Sequence, residues 1–113
     1  MESFMIDVKL QPETEVLLRD PLLGEADLDT KIRSLVETEY VRRLARYKRT
    51  DHTLRQKYGM EFAQFLHDHV TEKAGYRWEV EKDAMDWETA IGGVQTIERK
   101  LLELRSLPHG NVD

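Results

Sequence analysis

His67, Asp68 and His69 are the residues whose types come closest to a catalytic or metal-binding cluster. A helix that binds a metal places its ligands three or four residues apart, as in H-E-x-x-H. Residues two apart on a helix point about 200° from each other, so His67 and His69 cannot close on one ion. A second concentration lies in carboxylates, at Glu79, Glu81, Asp83, Asp86 and Glu88. General acid–base chemistry needs two such groups in one pocket with pKa values pushed apart. The spacing here asks for no more than a solvated acidic helix start. Gly92 and Gly93 lack the flanking pattern of a phosphate-binding loop. The few serines form no nucleophile elbow. With no cysteine in the chain, thiolate catalysis, disulfides and cysteine zinc sites fall away. The expectation is a protein that is not an enzyme, with no catalytic residue, metal, cofactor or small-molecule substrate.

The strongest chemical signal is charge. The stretch "YVRRLARYKRTDHTLRQKYG", residues 40–59, holds Arg42, Arg43, Arg46, Lys48, Arg49, Arg55 and Lys57 against the single acid Asp51. On a helix, Arg42, Arg43, Arg46, Arg49 and Lys57 lie on one flank of an apolar stripe, and Lys48 and Arg55 on the other. Cations that frame a seam in this way suit a helix whose edges meet something acidic. Two destinations are open. The acidic run over residues 79–88 could meet the basic flank within the chain, if the last helix packs antiparallel to residues 40–58. The acids of another molecule could equally be the target. Exposed pairs are each worth roughly 0–1 kcal/mol, so they would set pairing and register more than stability.

Elements must hold these groups in place. Residues 4–10 alternate, with Phe4, Ile6, Val8 and Leu10 on one side, which predicts a half-buried strand ended by Pro12. Residues 11–27 read as a connector, with a second short strand over 15–19 or an irregular segment as the options. Asp27 is a fair N-cap for a long helix. Val36, Tyr40, Leu44, Tyr47, Leu54 and Tyr58 then fall on one stripe at helical spacing, with Leu28, Ile32 and Leu35 slightly aside. Gly59 fits the position just past the helix end. Such a helix would run about 45 Å, and "RTDHT" predicts a break or bend at Thr50 or Asp51. "MEFAQFLHDHV" predicts a short helix with Phe62, Phe65, Leu66 and Val70 inward, and "EKAGY" a turn.

Trp78 and Trp87 are nine residues apart. That spacing puts them on opposite faces if one helix contains both. Tyr76, Trp78 and Val80 alternate, so residues 76–80 fit either a short strand or an early helix. From Asp83, a plausible N-cap, Ala84, Trp87, Ile91, Val94, Ile97, Leu101 and Leu104 form a heptad-like seam. Pro108 ends it. The fold class expected is mainly α: an N-terminal β-strand, a long basic helix bent or unbroken, a short helix, and a long C-terminal amphipathic helix. The organisation expected is one small domain: strand and connector over 1–27, a helical body over 28–107, and a tail over 108–113.

Bulk composition agrees. The chain has 113 residues, 40% hydrophobic and 35% charged, with net charge −5. Charge exceeds the roughly 25% of an ordinary domain, as a wide polar surface or interface would require. A net-acidic chain is a poor non-specific ligand for nucleic acid, because phosphate repels it. The N-terminal residues lack the basic and apolar regions of a signal peptide, and no apolar run nears the roughly 20 residues of a membrane span. A cytoplasmic location is expected, with no membrane partner.

The strings "YVRRLARYKRTDHTLRQKYGMEFAQF" and "GYRWEVEKDAMDWETAIGGVQTIERKLLEL" resemble a family of small prokaryotic proteins. Their pattern is a basic helix, a KYGM turn followed by two phenylalanines, and a helix carrying two tryptophans among acids. The resemblance covers about residues 28–105. Proteins of this kind are regarded as antitoxins encoded beside a short toxin-like protein. The N-terminal strand expected here is similar to the dimerising strand of ribbon-helix-helix antitoxins, but the connector over 11–27 departs from that compact plan. The resemblance implies a protein-binding module that neutralises a small toxin-like partner; the matching of basic and acidic segments also allows a charge-complementary homodimer. Tyr40, Leu44, Tyr47, Trp78, Trp87, Ile91 and Val94 are the candidate apolar anchors for that partner, and Arg42, Arg46 and Arg49 the orienting cations. The alternative is a DNA-binding regulator that sets residues 42–57 on phosphates.

Overall fold

The computed structural model describes residues 8–108. Among them the order is α1 (Pro12–Leu18), a 3₁₀ turn (Pro21–Leu23), α2 (Leu28–Tyr58), α3 (Phe62–His67), α4 (Val70–Lys73) and α5 (Trp78–Ser106). No strand occurs among the described residues, which corrects the expected N-terminal β-strand. Residues 4–7 of that expectation lie outside the described residues. Val8, Lys9 and Leu10 have no regular structure, and Val8 is well exposed. A strand needs a neighbour to satisfy its backbone groups, and alternation alone does not supply one. Pro12, read as a stop, instead begins α1, where its missing N–H costs nothing. The optional strand over 15–19 is likewise helical.

The chain divides into two compact units, one reaching to Leu35 and the other spanning Val36–Pro108. In the first, Asp20 caps the 3₁₀ turn by accepting from the Leu22 N–H at 2.8 Å. Lys31 is buried and its Nζ donates to the Leu18 carbonyl at 2.8 Å. A cation at the end of α1 satisfies a carbonyl that has no partner within its own helix.

Helix α2 has 31 residues and runs through "RTDHT" without interruption. The capping residues expected to break it are engaged otherwise. Thr50 Oγ1 donates back to the Arg46 carbonyl at 3.3 Å. Asp51 accepts from the Trp87 indole N–H at 2.9 Å and pairs with Arg55 at 3.4 Å. Thr50 is bonded back along its own helix and Asp51 is held by Trp87 of α5, so neither caps a new helix. Asp27 does serve at the start of α2, where the Thr30 N–H reaches its Oδ1 at 3.4 Å. Gly59 closes the other end with φ 67°, its N–H on the Arg55 carbonyl at 2.8 Å.

The second unit is built on a small aromatic core. Leu54, Phe65, Val80 and Trp87 are buried together, with Tyr58, Met60, Phe62, Val70 and Ala84 packed against them. Trp87 is fully buried. Its ring centroid lies 5.1 Å from that of Phe65, 5.3 Å from Phe62 and 5.9 Å from Tyr58. Each such pair adds roughly 0.5–1.5 kcal/mol beyond area burial. Leu66, expected inward, is exposed. The segment read as one short helix is two, because His69 adopts a left-handed conformation with φ 53° between α3 and α4.

Helix α5 begins at Trp78, not near Asp83, and its N-cap is Arg77. Glu79 and Glu81 stand in its first turn, where carboxylates favour the helix dipole. Buried Val80 draws this turn onto the core. Trp78 and Val80 therefore stand on different sides of a helix start, and Tyr76 precedes the helix with φ 55°, which is not strand backbone. Farther along, Ala90, Ile97 and Leu101 are buried, and Ile91, Val94 and Leu104 half-buried. Helices α2 and α5 run antiparallel, as three links in reverse order show. Lys57 meets Asp83 at 2.6 Å, Lys48 meets Glu98 at 3.8 Å, and Arg105 meets Glu37 at 3.0 Å.

Candidate protein-binding surface

Of the seven cations in residues 40–59, five have a carboxylate partner within the chain. Arg42 donates to Glu39 through Nε at 2.9 Å and Nη2 at 2.7 Å, and Arg43 through Nε at 2.6 Å. These bonds hold the Glu39 carboxyl down at about 2. All three side chains lie on the surface of α2, and Arg42 is already satisfied there.

Lys57 belongs to a tighter arrangement. Its Nζ donates to Asp83 Oδ2 at 2.6 Å and to Glu79 Oε1 at 2.8 Å, and the Tyr58 hydroxyl donates to the same Asp83 oxygen at 2.6 Å. The acidic run of α5 thus meets the basic helix at its first turns. Burial acts to raise the Asp83 carboxyl, but the hydrogen bonds of Lys57 and Tyr58 and the charge of Lys57 outweigh it and hold it below the ordinary carboxylate value. Burial and the bond to Asp83 push the Tyr58 phenol up to about 12, so it remains a donor at neutral pH.

A group whose pKa is depressed on folding adds stability above its unfolded value, near 4 for aspartate, and that stability is lost as pH falls through the folded value. Asp83→Asn should therefore lower Tm at pH 7, with the gap from wild type shrinking as pH drops below about 4. Thermal unfolding at pH 7 and pH 3 checks this. An equal gap at both pH values would remove Asp83 from the acid response.

Arg46 and Arg49 differ from their neighbours. Neither has a carboxylate within salt-bridge distance among the described residues. The Arg46 guanidinium lies 5.6 Å from the Tyr47 ring centroid, a cation–π distance. Both arginines line a recess of about 320 Å³ with Thr50, Thr53, Leu54 and Asp86.

The apolar candidates separate by burial. Trp87 is enclosed in the core, its N–H bonded to Asp51. Tyr40, Leu44, Tyr47, Ile91 and Val94 are half-buried between α2 and α5. Ile91 and Val94 line a recess beside Lys48, Asp51 and Arg55. Trp78 stands 68% exposed, on the opposite side of α5 from Trp87 as the nine-residue spacing requires. Met85, seven residues on, is also exposed on that outer side. Sequence reasoning missed Met85, Thr53 and Thr89. The seven-residue step from Trp78 to Met85 was the signal available for the first; for the threonines there was none, because their place depends on how α2 and α5 pair.

His67 and His69 do not converge. His67 Nδ1 lies 3.3 Å from its neighbour Asp68, and both imidazoles are exposed. Among the described residues no three histidine or acidic side chains form a metal-binding group, and no helix is long and apolar enough to cross a membrane. Compared with protein-family models, with curated proteins and with solved structures, the chain finds no match.

Proposed function

We propose that this chain is a non-enzymatic protein-interaction module that acts as the neutralising, antitoxin-like half of a pair with a small toxin-like protein. The observation that carries the first part is Trp78, an indole 68% exposed on a helix whose other tryptophan fills the core. Tryptophan is enriched among the residues that dominate the energetics of protein interfaces, which supports this reading. Exposed Tyr76 precedes it, and exposed Met85 extends its side of α5. The antitoxin part rests on the resemblance across residues 28–105.

The DNA-binding alternative has to compete for its charges, because five of its seven cations already have a carboxylate partner in the chain. Affinity for phosphate grows with the number of free cations that release counterions. At low salt, upstream DNA is expected to give no gel shift; a shift lost on charge reversal of Arg46 and Arg49 would favour the regulator.

The proposed function is tested by growth. Expression of the adjacent gene's product should arrest a host cell, and co-expression of this chain should restore growth. Trp78→Ser should abolish the rescue while leaving the fold intact, since the side chain is mostly outside the core. Rescue that is indifferent to this chain would sink the antitoxin reading.

A further inference from the structure

We infer that Arg46 and Arg49 form a docking groove for an acidic amphipathic helix of the partner protein, received on the surface where α2 and α5 meet. The inference rests on the protein-binding reading and names the chemistry of the partner's contact. The groove combines two recesses that share Arg46, Thr50 and Asp86. The smaller, about 220 Å³, adds the Tyr47 ring, Thr89 and Ala90. Its floor is therefore apolar, from Leu54, Tyr47 and Ala90, and its rim carries the two guanidiniums and hydroxyls.

Charge complementarity selects the occupant. Arg46 and Arg49 are the cations of residues 40–59 without a carboxylate among the described residues, and they sit one helical turn apart on the same side of α2. The Thr53 and Thr89 hydroxyls form no side-chain hydrogen bond among the described residues, and Thr50 is occupied with the Arg46 carbonyl. The acid at the rim, Asp86, is engaged by Lys82 at 2.7 Å. The groove thus offers two planar, bidentate donors whose best partners are carboxylates.

The backbone argues for a helix. No strand edge exists among the described residues to pair with an extended peptide. A helix brings its side chains to the recess with its own backbone groups already satisfied. Carboxylates three or four residues apart on such a helix match the one-turn spacing of the arginines, and its apolar side covers Leu54 and Ala90. A long polyanion fits less well, since only two free guanidiniums face it and the acidic start of α5 lies alongside.

The test is an NMR titration of the isotope-labelled full chain with a helical peptide bearing two glutamates four positions apart beside a leucine stripe. The Arg46 and Arg49 Nε–H signals and the Thr50, Thr53 and Ala90 amides should shift. Arg46→Gln with Arg49→Gln should weaken binding roughly tenfold or more, and the double lysine variant should fall between, because it keeps charge without the fork. Arg99→Gln, on exposed α5 surface, should leave binding unchanged, and melting curves of all variants should coincide. No shift at the two arginines, or equal binding of a glutamine-for-glutamate peptide, overturns the groove. Tighter binding of a DNA duplex to the same residues also overturns it, and marks a phosphate site. If the double glutamine variant still co-purifies with the adjacent gene's product as well as wild type, the groove is wrong and the protein-binding reading stands. If wild type fails to co-purify while the peptide still shifts the groove, the reading falls and the groove stands.

Discussion

Trp87→Ala is expected to cost about 3–5 kcal/mol, the range for removing a buried aromatic side chain. That is a large share of the roughly 5–15 kcal/mol that stabilises a typical domain. Three other aromatic rings surround this indole at centroid distances of 5.1 to 5.9 Å, so its loss leaves a cavity at the joint of α2, α3 and α5. Asp51 also loses the indole N–H that holds it at 2.9 Å. Trp87→Phe keeps most of the volume and should cost much less. Urea unfolding followed by circular dichroism separates the two variants. An alanine variant as stable as the phenylalanine one would show that the indole volume does not organise the core.

The second large effect is a contrast of sign between neighbours. Gly92 and Gly93 both sit inside α5, where glycine costs about 1 kcal/mol relative to alanine. A Cβ at Gly92 meets open space, so Gly92→Ala should stabilise the protein by up to about 1 kcal/mol. A Cβ at Gly93 would stand 2.5 Å from two carbons of the Tyr47 ring and 2.8 Å from its Cγ. The clash reaches the root of the ring, so rotating the far end of the side chain does not relieve it. Overpacking of this kind costs roughly 1–3 kcal/mol, which outweighs the propensity gain and makes Gly93→Ala destabilising. Adding Tyr47→Ala to Gly93→Ala should reverse that penalty, as a double-mutant cycle would read. Equal shifts in midpoint for the two glycine variants would contradict the packing of α2 on α5 described above.

Periodicity made the helical body legible. The stripe from Val36 to Tyr58 and the seam from Ala84 to Leu104 both face inward in the structure, and Gly59 ends α2 as its type suggested. The phase of the two tryptophans was also readable, since nine residues force them apart on any single helix. Local signals misled where distant partners intervene. Thr50 and Asp51 are good caps in isolation, but Trp87 claims Asp51 from α5. Asp83 reads as an N-cap, yet its carboxylate serves Lys57 and Tyr58 inside α5. The alternation around Val8 lacked any partner that would make it a strand. For the candidate surface, charge counting singled out α2, but only the pairing of α2 with α5 and with Glu39 separates the engaged cations from Arg46 and Arg49. The basic stretch is thus partly an internal network and partly a pair of open guanidiniums.

Light scattering during size-exclusion chromatography of this chain, co-expressed with the product of the adjacent gene, tests the central claim most directly. A protein-binding module should elute in one peak with both chains present and a mass above the 13.3 kDa of this chain alone. Two separate peaks, with this chain at its own mass and no transfer of the neighbour into its fractions, would contradict the account.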